Sequence, residues 1–135
     1  MQNPMEEFKK SFTKTYIIQG KKFLFRSLST KETDDIEKEV ARKSVSLSDD
    51  SKFNTRKIET LASSLVSVDG ILLKQFEEIQ LAVSKGANEK EEIKKLIGEL
   101  DESFTNLLYL FYLEMIKEKD ERFKKDAEFL DSLNK

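Results

Sequence analysis

The chain is 135 residues long, enough for one domain with a real but modest core. Hydrophobic residues make up 38% and charged residues 37%; the net charge is −2, with 24 basic and 26 acidic side chains interleaved, so the basic surplus of a nucleic-acid binder is missing. Cys, His and Trp are absent, which removes disulfides, thiolate chemistry, the commonest general base and most zinc and transition-metal sites.

One Pro and four Gly favour long helices over a turn-rich β fold. The start, Met1 to Glu7, lacks the basic stretch and apolar run of a signal peptide. Asn3-Pro4-Met5-Glu6 has the order of a helix N-terminus, with Asn as cap, Pro at the first helical position and Glu three residues on. Met5, Phe8 and Phe12 then predict an amphipathic helix of about two turns, too short to stand undocked.

Thr15-Tyr16-Ile17-Ile18 and Phe23-Leu24-Phe25-Arg26-Ser27-Leu28 flank a Gly-containing link, Gln19 to Lys22. Two β-branched and aromatic runs around such a link predict a β-hairpin, which needs a helix or a neighbouring subunit against one face. Ser29-Thr30-Lys31-Glu32 is a capping box opening a sparsely apolar helix to about Lys43. Residues Ser44 to Thr55 read as a polar loop in which Val45, Leu47 and Phe53 could anchor to a surface.

From Thr55 to Val68, the residues Ile58, Leu61, Ala62, Leu65 and Val66 mark one helical face, with Asp69-Gly70 expected to close the helix. Ile71 to Val83 predicts a third helix ending near Gly86. Asn88-Glu89-Lys90-Glu91 is a further capping box. It opens a stripe from Ile93 through Met115 that continues at Phe123, Ala127, Leu130 and Leu133. One unbroken helix would span roughly 67 Å, whereas Gly98 or Asp101 would divide it into two. The expected architecture is therefore mainly α within residues 1–135: a short helix plus β-hairpin over 1–28, helices over 29–86, and one long or two consecutive helices over 88–135.

Within the last segment, Leu107-Leu108-Tyr109-Leu110-Phe111-Tyr112-Leu113 is apolar almost all the way round and must be covered on every side. It is far short of the roughly 20 residues that a membrane helix needs. It is either a central core helix or, in part, a face that meets another protein.

No catalytic, metal or cofactor signature survives. The carboxylate pairs Asp34/Asp35, Asp49/Asp50, Glu77/Glu78 and Glu91/Glu92 lie beside Lys or in polar stretches, where a solvated face is the ordinary reading. The Gly residues are too scattered for a phosphate loop, and Lys9-Lys10, Lys21-Lys22 and Lys124-Lys125 are pairs rather than patches.

The order of elements resembles that of small proteins of tailed bacteriophages. A hairpin ending Phe23-Leu24-Phe25-Arg26-Ser27-Leu28 runs into Ser29-Thr30-Lys31-Glu32. A polar loop then leads to Arg56-Lys57-Ile58-Glu59-Thr60-Leu61-Ala62 and a Val68-Asp69-Gly70 close. Over Tyr16 to Leu73 this is similar to tail assembly chaperones and baseplate hub assembly proteins. The second half matches only in type, and the Trp residues associated with such tails are missing.

The resemblance implies an assembly or structural role with no catalytic residues, in the host cytoplasm during assembly or in the virion tail. It also implies Leu61, Ala62, Leu65 and Val66 as core, Asp69-Gly70 as a turn, and Arg56 and Glu59 either touching the hairpin or forming an exposed ion pair. Expected partners are other tail or baseplate proteins, with neither nucleic acid nor membrane. The expected contact residues are Phe23, Phe25, Leu107, Leu110, Phe111 and Leu113. A homo-oligomer built on the last helix is the main alternative; a nucleic-acid-binding regulator and an enzyme stand behind it.

Overall fold

The computed structural model describes residues 3–43 and 49–133. The protein is mainly α, with five α-helices among the described residues and one small antiparallel sheet. The first expected helix is reduced to a single 3-10 turn, Glu6–Lys9, which leaves Met5 and Phe8 exposed. Phe12 leaves the helical pattern because the sheet takes it. Its N–H donates to Ser27 Oγ at 2.8 Å and its carbonyl accepts from Ser27 N–H at 2.7 Å.

β1 (Thr13–Ile18) and β2 (Lys21–Arg26) form the expected hairpin, closed by two residues rather than four. Gln19 and Gly20 both take positive φ, +55° and +78°, which fits the twist of a tight hairpin. α1 (Thr30–Lys43) starts at its capping box: Ser29 Oγ accepts from Glu32 N–H at 3.1 Å, and Glu32 Oε1 accepts from Ser29 N–H at 3.0 Å.

The central segment differs most from expectation. α2 runs Asp49–Ser64, starting inside the expected loop and stopping before the last residues of the expected helical face. Val45 and Leu47 lie outside the described residues. Leu65–Val68 is a strand, β3, paired antiparallel with β2 (Phe23 opposite Val68, Phe25 opposite Leu65) with a register shift between Leu24 and Phe25. The free edge of β2 offers this run backbone hydrogen-bond partners, and its two valines suit a strand.

Asp69-Gly70, with φ of +51° and +80°, therefore closes a second hairpin rather than a helix, leading to the short β4 (Ile71–Leu72). The sheet order is β1-β2-β3-β4. Of the expected third helix, only α3 (Glu77–Ser84) is α-helical, preceded by a 3-10 turn at Leu73–Gln75. It ends at Gly86 (φ +97°) as expected.

The last segment is two helices. α4 (Glu89–Gly98) is capped by Asn88, whose side chain accepts from Glu91 N–H at 3.0 Å. α5 (Glu102–Leu133) is capped by Asp101, which accepts from Phe104 N–H at 3.2 Å. At 32 residues, α5 extends about 48 Å.

All three expected segments feed one core. Ile18, Phe23 and Phe25 come from the hairpin, Leu61, Leu65 and Leu73 from the middle, and Ile97, Leu108, Tyr112 and Met115 from the last two helices.

Candidate interaction surface

α5 is the element on which the rest of the fold is laid. Its core face carries Phe104, Leu108, Tyr112 and Met115, with Phe104 edge-on to Phe23 at 5.9 Å between centroids. A second face rests on the N-terminal edge of the sheet. There Phe111 packs on Tyr16 at 4.7 Å, Glu118 pairs with Lys14, and the Arg122 guanidinium lies 4.3 Å from the centre of the Phe12 ring. A third face meets α2 through Tyr109 and Phe53 at 5.8 Å.

The six expected contact residues divide accordingly. Phe23 and Phe25 are 6% and 0% exposed and belong to the core, so they are not available to a partner. The hairpin finds its cover within the chain, in α5. Leu107 and Phe111 are half-buried and pack against the same core. Leu110 and Leu113, 61% and 44% exposed, point away from it. The apolar run is thus core on most of its circumference and free on the remainder.

The strip beyond Leu113 belongs to the last helix, on which the alternative homo-oligomer was expected to be built. The depression along it is lined from Leu113 to Ala127 by residues of α5 alone, and measures ≈ 720 Å³. Phe123 is 56% exposed.

The charged side chains pair largely with one another between the helices. Arg56 does not reach the hairpin; it pairs with Glu37 of α1, at 2.7 Å from Nε and 3.0 Å from Nη2. Glu59 is buried and holds two lysines, Lys43 at 2.8 Å and Lys94 at 2.9 Å. Burial presses the Lys94 pKa down, and its hydrogen bonds to Glu59 and Glu91 more than offset this, leaving it above the ordinary lysine value. Lys57, also buried, donates to Asn106 Oδ1 at 2.7 Å. Burial pushes the Tyr112 phenol up to about 12.

Of the carboxylate pairs, Asp34 binds Lys38 and Glu91 binds Lys94, while Glu77 and Glu78 lie exposed at the start of α3. Among the described residues, no cluster of three or more acidic side chains could hold a metal ion, and no helix is long and apolar enough to cross a membrane.

No protein-family model, curated protein or solved structure matches this chain.

Proposed function

We propose that this chain is a non-enzymatic protein–protein interaction protein that serves the assembly or structure of a bacteriophage tail or baseplate. It acts in the host cytoplasm during assembly or within the virion tail. The observation that carries the reading is the pair Leu110 and Leu113, held in solvent on a helix whose other faces are locked into the core. Apolar side chains fixed on a rigid element give a partner a preformed surface and little ordering cost on binding. The resemblance over Tyr16 to Leu73 supplies the class of partner, and a sequence without His or Cys suits a role without chemistry.

The test is affinity capture with the tagged full-length chain from bacteria producing phage tails, with the recovered proteins identified by mass spectrometry. Tail or baseplate proteins should be recovered by the native chain and lost with Leu110→Asp, while far-UV circular dichroism shows the variant still helical. Recovery without any tail or baseplate protein, or equal recovery by the folded variant, overturns the reading.

A further inference from the structure

The body of the protein supports α5 only as far as Arg122, whose side chain covers Phe12. From Phe123 onward every described side chain is exposed, so about three turns of helix stand clear of the fold. A helical stretch this short is marginal in water without a tertiary contact.

Leu113, Ile116, Asp120, Phe123 and Ala127 recur at alternating steps of three and four residues, the spacing of a coiled-coil seam. Leu130 is the next such position by sequence; its side chain lies outside the described residues. The shallow surface over this seam is formed by α5 alone and is open on its far side, where another helix can lie.

We propose that the C-terminal half of α5 pairs antiparallel with the same segment of a second copy of this chain. The charges on the seam select both the partner and the direction. Lys117, Lys119, Lys124, Asp120 and Asp126 mix both signs within three turns, so the surface complements itself better than it would a strongly acidic or basic partner.

A parallel, in-register pair would stack Asp120 on Asp120 of the second copy. It would also set Lys119 against Lys124, and Asp126 against Asp131, at the flanking positions. An antiparallel pair centred between residues 121 and 122 relieves all three. Ile116 comes level with Ala127 of the second copy, and Lys119 comes near its Asp126. Asp120 falls between Lys117 of its own helix and Lys124 of the other, which also offsets the approach of those two lysines. This inference goes beyond the tail-assembly reading and stands whether or not a tail partner is found.

The test is sedimentation equilibrium of the full-length chain over a concentration series. The native chain should reach twice its 15.7 kDa mass. Phe123→Asp should weaken the association by about 100-fold or more, because it removes an apolar side chain from the seam twice over. Phe123→Leu should keep it. A native chain that stays monomeric throughout, or a dimer indifferent to Phe123→Asp, overturns the proposal.

Direction is read by disulfide trapping, which is clean in a chain without cysteine. Ile116→Cys mixed with Ala127→Cys should give the mixed disulfide, whereas each variant cross-linking to itself would mean a parallel pair and overturn the assignment. Leu113→Cys with Leu130→Cys repeats the trap one seam layer further out if Ile116→Cys does not fold. Leu110→Asp should leave the dimer mass unchanged, because Leu110 lies off the seam; Leu113 is common to the seam and to the surface assigned to the tail partner, so Leu110 is the position that tells the two apart.

Discussion

Glu59 and Lys94 form a buried ion pair at 2.9 Å, with side chains 2% and 9% exposed, that ties α4 to α2. Lys43 at the end of α1 closes on the other carboxylate oxygen at 2.8 Å, so three helices converge on one acidic group. Removing the carboxylate leaves Lys94 buried with only the exposed Glu91 to hold it. Glu59→Ala is therefore expected to cost about 3–5 kcal/mol in denaturant unfolding. Replacing both partners, Glu59→Met with Lys94→Met, should recover most of that loss, since an apolar pair of similar volume needs no desolvation. A single variant within experimental error of the native chain would show that water already reaches this pair.

Acid sensitivity should be concentrated where α1 begins. Arg26 grips Glu32 through two hydrogen bonds, one of 3.0 Å, and Ser29 adds a backbone and a hydroxyl contact. The guanidinium first, and then Ser29, hold the Glu32 carboxyl down to about 2 against an ordinary 4.5. A depressed folded value means that the stabilisation is complete above about pH 4.5 and is lost as pH falls toward 2.

Glu32→Gln should accordingly cost about 1–2 kcal/mol at neutral pH, combining a weakened cap with a partly exposed ion pair. The gap between native and variant should close on acidification through that window. Urea melts at stepped pH would show it, and a gap that stays constant with pH would rule out the ion pair as its source.

What was legible in the sequence was local. The boxes at Ser29 and Asn88 needed only side chains three residues apart: the first forms both its bonds, whereas at Asn88 the cap forms and the Glu91 carboxylate turns to Lys94 instead. Whether the last segment is one helix or two was left open by the sequence, and the cap at Asp101 decides it. The second hairpin was not legible, because Leu65 to Val68 continues a helical period begun at Ile58. Its strand geometry depends on Phe23 and Phe25, some forty residues earlier in the chain. Asp69-Gly70 suits a helix end and a tight hairpin alike, and the sheet edge decided between them.

The candidate surface divides for a similar reason. Alternation in β2 shows that one face is buried without showing that α5 covers it, so Phe23 and Phe25 looked as available as Leu110.

That division gives a direct contrast between substitutions. Phe25→Ala opens a cavity in the centre of the core, where nothing but side chains can refill it, and should cost about 3–5 kcal/mol. Leu110→Asp changes a side chain already in water, and should shift stability by no more than about 0.5 kcal/mol. Thermal melts of the two variants test this. A large loss from Leu110→Asp would mean that the apolar run is core on every side, and would withdraw Leu110 from the proposed contact surface.

Ser64 offers the opposite sign. It is the last residue of α2, fully buried, and its Oγ has no hydrogen-bond partner among the described residues. A hydroxyl withdrawn from water without a partner opposes folding, and alanine fills nearly the same space with a higher helix preference. Ser64→Ala is therefore expected to stabilise the protein by about 1 kcal/mol. Tyr16 Oη is likewise buried and unpartnered, so Tyr16→Phe should be neutral or mildly stabilising while keeping the ring contact with Phe111. The measurement is the urea midpoint of each variant at unchanged slope. A loss of stability in Ser64→Ala would show that the hydroxyl holds a bound water at the junction of α2 and β3.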